Sequence, residues 1–434
     1  LDNKKEKVIQ KGDKKIVKAW VFYDWANSVY NLVITAAIFP IYYTTLAENT
    51  GGIVRFLGRD FPSESFYNYV LALSFLVVSF SSPLLSGIAD YSGNKKRFLQ
   101  FFCYLGAISC IGIFFFDINH IGLSMIPVFF ASIGFWSSLV FYNAYLPEIA
   151  EPKDHDKISA RGFSMGYIGS SILLIICLTI IMAIDPSYTK YSFLLVGIWW
   201  IGFSQVTFRK LPNNVYGRTA GGNPFTKGYQ ELSKVWDELK ENKLLKRFLL
   251  AFFVFNMGVQ TIMINASIYG SKEVGVDSQG LIIAILLIQF VGALGSHLMS
   301  FISSKIGNIY TLFIIVFMWV IICVVAYYTY TNVVFYVLAA FVGLVMGGIQ
   351  ALSRSTYAKL LPETKDHASY FSFYDVLEKL GLTIGLFLFG FISEFTGSMR
   401  NSILMLVTLF IIGLFLLWLN PLKGEITEEK KASI

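Results

Sequence analysis

Twelve apolar runs dominate this chain, at roughly 20–46, 67–89, 98–117, 121–146, 161–184, 190–208, 248–270, 279–300, 310–330, 332–360, 371–395 and 400–419. About 17 to 25 apolar residues are enough for a helix to cross a bilayer. A water-soluble helix of that length keeps a polar face, and most of these runs have none. Composition agrees: 55% of the 434 residues are hydrophobic and 15% are charged, against about 25% charged in an ordinary soluble protein. The expected fold class is an all-α integral membrane protein with twelve transmembrane helices.

Basic residues in the connections set the orientation. Seven lysines precede Trp20, and Lys95, Lys96 and Arg97 follow the second run. Lys153 and Lys157, the stretch Arg209 to Arg247, and Lys305, Lys359 and Lys365 fall on the same side. The opposite connections carry only Arg55, Arg59, Lys190, Lys272 and Arg400. Both termini and the long middle connection are therefore expected in the cytoplasm. The formal charge of +7 suits lysines beside anionic headgroups, so no nucleic-acid partner is expected. The first eighteen residues are too polar for a signal-peptide core, and the first helix is expected to be retained.

The middle connection, 209–247, divides the chain into 1–208 and 248–434. Its first part has turn composition. Its second part places Leu232, Val235, Trp236 and Leu239 at helical spacing among charges, the pattern of an amphipathic helix on a membrane surface or against the bundle. Short echoes relate the two parts. Leu146-Pro147-Glu148 recurs as Leu361-Pro362-Glu363, Lys153-Asp154-His155 as Lys365-Asp366-His367, and Gly93-Asn94 as Gly307-Asn308. The offsets are 215, 212 and 214 residues, so two six-helix bundles are expected, a transporter design.

Polar residues inside apolar runs are costly in lipid and mark functional positions. Asp24, Asn27, Ser28 and Asn31 share one helical face, either as the wall of an aqueous cavity or with Asp24 at the interface. Tyr142 and Asn143 close the fourth run. Asn256 and Gln260, four apart, suit a zwitterionic, peptide-like or sugar substrate, or plain interhelical hydrogen bonding. Gln350 and Arg354 are four apart as well. Arg354 could bind a substrate carboxylate or phosphate, snorkel to headgroups, or staple a gate. Asp375 and Lys379 form an i,i+4 pair. Glu378 and Asp24 are the proton-coupling candidates, and Glu378 could instead pair with Arg354. Arg161, at the start of the fifth run, is placed to pair with Glu148 or Asp90. His297 reads as structural.

The turn S86-G87-I88-A89-D90-Y91-S92-G93-N94-K95-K96 resembles the signature loop of the major facilitator superfamily. Asp90, Gly93, Lys95 and Lys96 match that pattern. Ser86 stands at its usual leading glycine and Asn94 at its usual first arginine. The resemblance implies the major facilitator fold and a gating role for this turn, with Asp90 near the start of the eleventh helix around Tyr370 to Tyr374. Y23-D24-W25-A26-N27-S28, L146-P147-E148 and G347-G348-I349-Q350-A351-L352-S353-R354-S355 look like the vacuole effluxer family of that superfamily. That likeness implies export of amino acids. Short termini suit a bacterial inner-membrane member.

There is no phosphate-binding loop, serine elbow or HExxH motif, so no enzyme is expected. Cys103, Cys110, Cys177 and Cys323 show no ligand spacing, and neither metal nor cofactor is expected. The expected function is secondary transport of a small polar solute, an amino acid first, by alternating access and with protons as a candidate coupling ion. A sugar, nucleoside, cell-wall fragment, lipid or drug-like cargo is the alternative, and a non-transporting receptor or scaffold is a further one. The expected partners are a small-molecule substrate and the lipid bilayer, with the chain a monomer.

Overall fold

A computed structural model describes residues 11–49, 51–218 and 223–419. Lysines 4, 5 and 7 of the basic start lie outside them. The first run is not one helix. It forms α1 (Lys14–Val29), a π-helical stretch (Tyr30–Ala37) and α2 (Phe39–Glu48). Pro40 sits in the first turn of α2, the one helical position that loses nothing from its missing N–H. A two-stranded hairpin follows, β1 (Ile53–Phe56) and β2 (Arg59–Pro62), paired antiparallel. Leu57 and Gly58 both have positive φ at its tip, the backbone of a tight hairpin turn. The sequence reading had this segment as a plain connection.

The remaining helices of the first part are α3 (Ser63–Ser92), α4 (Lys95–Ile113), α5 (Ile121–Ser124), α6 (Ile126–Asn143), α7 (Leu146–Ile149), α8 (His155–Ala183) and α9 (Thr189–Lys210). Next come α10 (Pro224–Glu241), α11 (Lys243–Tyr269), α12 (Ser278–Ile306), α13 (Asn308–Tyr327), α14 (Asn332–Leu360), α15 (His367–Thr396) and α16 (Met399–Trp418). Among the described residues eleven helical stretches are long and apolar enough to cross a membrane. The expected third span, α4, is not among them, because Lys95, Lys96 and Arg97 occupy its first turn. In α10, Val235 and Leu239 are buried while Trp236 is 46% exposed. Protein therefore covers only part of the apolar stripe on this helix.

Residues group into two compact units assembled from separated stretches. Unit 1 comprises residues up to Ala150, Ile168–Ser233 and Lys365–Phe373. Unit 2 comprises Glu151–Tyr167, Lys234–Thr364 and the chain from Tyr374 on. Helices α8, α10 and α15 thus each contribute to both. In unit 1, α4 packs on α6 and α9, α9 on α1, and α3 on α6. Large aromatics fill the gaps: Trp20 stacks on Tyr142 at 4.5 Å and Tyr30 meets Phe135 at 4.7 Å. In unit 2, α12 packs along α14, and α16 along α13 and α11.

Lipid is as apolar as a leucine side chain, so helices in a membrane associate through close packing, for which small residues are selected. Gly106 of α4 meets Gly134 of α6, and Gly292 of α12 meets Gly347 of α14. A Cβ at Gly134 would press on the Gly106 backbone, and one at Gly347 on the Gly292 carbonyl. Backbone atoms cannot rotate aside. Gly134→Val and Gly347→Val should each therefore cost about 1 to 3 kcal/mol by overpacking. Gly202→Val, which meets open space, should be close to neutral. Thermal unfolding of the three purified variants in detergent checks this, and equal midpoints would contradict the packing argument.

Candidate functional site

In unit 1, α3 stops at Ser92 because Gly93 turns the chain with a φ of 68°. Glycine reaches that left-handed backbone without steric cost, and a Cβ there would also strike the Asn214 side chain. The turn leaves Asp90 in the last turn of α3, 4% exposed. Its carboxylate accepts hydrogen bonds from the backbone N–H groups of Ala368 at 3.2 Å and Ser369 at 2.7 Å. These belong to the first turn of α15. The opening N–H groups of a helix have no intrahelical partner, and the helix dipole favours an anion there. The contact falls before the expected Tyr370–Tyr374, where the N–H groups start to be used within the helix.

Lys95 opens α4, yet it is buried. It pairs with Glu148 of α7 and lies 4.9 Å above the Tyr145 ring. A lysine beside a span is expected at the membrane surface; the carboxylate and the ring together hold this one inside. Glu148 Oε1 is also 3.3 Å from Nδ1 of His367, which begins α15. Lys96 turns the other way, and its Nζ donates to the Leu211 carbonyl at 2.9 Å. Arg218 donates to the Asp90 carbonyl at 2.7 Å and to Asp366 at 2.6 Å.

Unit 2 holds a related cluster at the start of α8. Asp156 accepts from Lys359 Nζ at 2.6 Å, Asn308 Nδ2 at 2.7 Å and Ser303 Oγ at 3.1 Å. Arg354 is buried; it donates to Ser159 Oγ at 2.9 Å and to the Ser159 carbonyl at 3.0 Å. Its guanidinium stands 4.2 Å over the Phe163 ring. Arg354 is thus held inside unit 2 by α8. Gln350 accepts from Tyr167 Oη at 2.5 Å. Arg161 is half-buried on α8, and both acids expected to pair with it are held elsewhere, Asp90 by α15 and Glu148 by Lys95.

A second buried polar group of unit 2 joins α11 to α15. Gln260 Nε2 donates to Glu378 Oε1 at 2.7 Å. Lys379 Nζ lies 2.8 Å from Asp375 and 3.4 Å from Glu378. Glu378 therefore has two partners, Gln260 and Lys379. Two carboxylates share one ammonium, and of the three side chains Glu378 is the most exposed, at 21%. Asn256 is buried one turn earlier on α11, and its Nδ2 meets no acceptor among the described residues. In unit 1, Asp24 is buried and accepts from Tyr142 Oη at 2.7 Å. Asn27 lies next on that face, its Nδ2 likewise without an acceptor among the described residues. Asn31, in the π stretch, and Asn143, at the end of α6, are half-buried.

Comparison with known proteins decides the family. The model of the vacuole effluxer Atg22-like family matches residues 12–430. The chain belongs to that family. It is 32% identical over 412 residues to YxiO of Bacillus subtilis (strain 168), an uncharacterized MFS-type transporter, covering 93% of this chain and 94% of the relative. It is 24% identical over 468 residues to autophagy-related protein 22 of Kluyveromyces lactis, covering 92% of each. Two solved structures share the fold. The human organic anion transporter MFSD10 (TETRAN) superposes with a TM-score of 0.69 at 12% identity, over 94% of this chain and 100% of that one. The E. coli fucose:proton symporter FucP gives 0.68 at 12%, over 94% and 98%. This effluxer-family chain is thus a multi-pass membrane protein with the major facilitator superfamily fold.

Several residues of these clusters are not singled out by the sequence as sites: Asp156, Asn308 and Lys359 in unit 2, and Asp366, His367 and Arg218 in unit 1. The Lys-Asp-His echo was the available signal. Its two histidines, His155 and His367, open the two helices whose starts carry the contacts. Arg218 had no such signal. The Lys95–Glu148 pair makes a direct test. Removing one partner leaves a buried charge, at about 3 to 5 kcal/mol, whereas replacing both by apolar groups is often neutral. Lys95→Met should therefore lower the unfolding midpoint in detergent sharply, and Lys95→Met with Glu148→Leu should recover most of it. Additive losses would show that the pair contributes no coupling.

Proposed function

We propose that this effluxer-family protein is a secondary active transporter of a small polar solute, an amino acid first, working by alternating access. The carrying observation is the set of buried polar side chains in helices apolar enough to span a bilayer: Asp24 and Asn27 on α1, Asn256 and Gln260 on α11, and Glu378 on α15. Such groups are expensive in lipid and are kept where they face a pathway. The Nδ2 donors of Asn27 and Asn256 suit a carboxylate, and Asp24 and Glu378 suit an ammonium or a proton. The match to a vacuole effluxer family supports a carrier, and the paired amide donors and acids are what makes an amino acid the first choice of cargo. The moving parts are the bundles 1–208 and 248–434, joined by 209–247. Both termini and the linker face the cytoplasm of a bacterial inner membrane, and the chain works as a monomer without cofactor or enzymatic step.

The Asp90 contact with α15 serves in this reading as the cytoplasmic gate, with Gly93, Lys95 and Lys96 shaping its turn. Asp90→Asn keeps the shape and removes the charge, a loss of about 1.5 to 3 kcal/mol for a charge-assisted hydrogen bond. It should slow net transport several-fold while leaving the protein folded. An unchanged rate would remove the gate from the proposal.

Purified protein in liposomes, with a panel of labelled amino acids and an imposed pH gradient, tests cargo and coupling. Wild type should exchange at least one amino acid in counterflow and accumulate it with the gradient. Glu378→Gln should keep counterflow and lose gradient-driven accumulation. Accumulation by Glu378→Gln at the wild-type level would exclude that residue as the coupling group. No counterflow of any panel member would exclude an amino-acid cargo.

A further inference from the structure

We infer that the loop 211–218 is a strap that holds the α3–α15 contact closed, with Arg218 as its positioning residue. The inference rests on the proposed gating role of that contact. The strap lies between α9 and α10, and every anchor it uses is in unit 1. At its start, Lys96 Nζ donates to the Leu211 carbonyl and Tyr145 Oη to the Pro212 carbonyl, each at 2.9 Å. Asn214 then seats against Gly93, at the end of α3. Asn214 also closes the loop on itself: its Nδ2 donates to the Arg218 carbonyl at 2.7 Å, and its Oδ1 accepts from the Arg218 N–H at 3.0 Å. Beyond the strap, Gly228 of α10 comes against the backbone of Gly87 and Ile88, so α3 is touched again.

Arg218 makes the decisive contacts. Nη1 donates to the carbonyl of Asp90 at 2.7 Å, and Nη2 to the carboxylate of Asp366 at 2.6 Å. The first is a carbonyl in the last turn of α3, where a cation is favoured. The second belongs to the residue just before α15. One planar guanidinium therefore joins the same two helix ends that the Asp90 carboxylate joins. Burial works against its charge, but the hydrogen bond and charge of Asp366 outweigh this and raise its pKa. Tyr216 adds a ring stacked on His367 at 6.1 Å and a hydroxyl 3.3 Å from its Nδ1. If α15 leaves α3, Arg218 must release one of its two partners. Contacts made in only one of two states shift the balance between them. A lysine, with one compact ammonium, does not reproduce the two-handed grip.

The test places a thiol inside the contact. Ser369→Cys is near-isosteric at a position that is 0% exposed, and the four native cysteines are buried. Labelling by a water-soluble maleimide then reads opening. In this background Asp90→Asn and Arg218→Gln should each raise the labelling rate about tenfold or more, the effect of one charge-assisted hydrogen bond on an equilibrium. Arg218→Lys should fall between. No rise with Asp90→Asn overturns the gate and the strap with it. A rise with Asp90→Asn but none with Arg218→Gln overturns the strap alone. Equal rises for the glutamine and lysine variants, matched by equal losses of unfolding midpoint, show a merely structural arginine and also overturn it. Asp366→Asn leaves the strap sequence intact and removes the negative charge that Arg218 grips. It should raise labelling too, and its failure to do so overturns the proposal even if Arg218→Gln does not fold.

Discussion

A carboxylate held by the open end of a helix is the interaction on which the other contacts of unit 1 depend. Asp90 reaches two N–H groups that α15 cannot use itself. This needs α3 to end at one place, and Gly93 ends it. It needs the start of α15 nearby, and His367 with Glu148, and Asp366 with Arg218, hold it there. The Lys95–Glu148 pair then fixes α7 against the first turn of α4. A longer α3, or a later start of α15, would leave an acid buried with nothing to accept from.

The same rule runs through the other clusters: a buried charge persists only with donors around it. Asp156 has three, from α12, α13 and α14. Asp24 has the Tyr142 hydroxyl, and Glu378 has Gln260 and Lys379. These groups differ in what remains available. Around Asp156 the ammonium, amide and hydroxyl all turn onto one carboxylate, which suits a fixed joint. Around Glu378 two carboxyl groups divide one ammonium.

Much of this was legible in the sequence. Apolar runs announced the spans because lipid tolerates little else, and the resemblance of the glycine turn to a family signature is what singled out Asp90. The echoes pointed to the right helix starts. What stayed hidden were contacts between residues far apart in sequence. Nothing in Asn213 to Arg218 distinguishes that stretch from ordinary loop, and Arg218 meets Asp366 across 148 positions. The sequence around Arg354 leaves substrate, headgroup and gate open, and its contacts with Ser159 and Phe163 of α8 lie 195 and 191 positions away. The break in the first run was also silent, since α and π turns draw on the same apolar residues.

That break has a consequence for phase. In Tyr30–Ala37 the hydrogen bonds reach back five residues, as from the Ile38 N–H to the Val33 carbonyl. A wider turn spends an extra residue and adds little length. The compass direction of every side chain after Ala37 is therefore set back from where a uniform 3.6-residue helix would put it. The polar meridian drawn by Asp24, Asn27 and Asn31 cannot be extended onto α2 by counting threes and fours. A position on α2 reached by counting 3.6 residues per turn from Asp24 is therefore assigned to the wrong face of the first span.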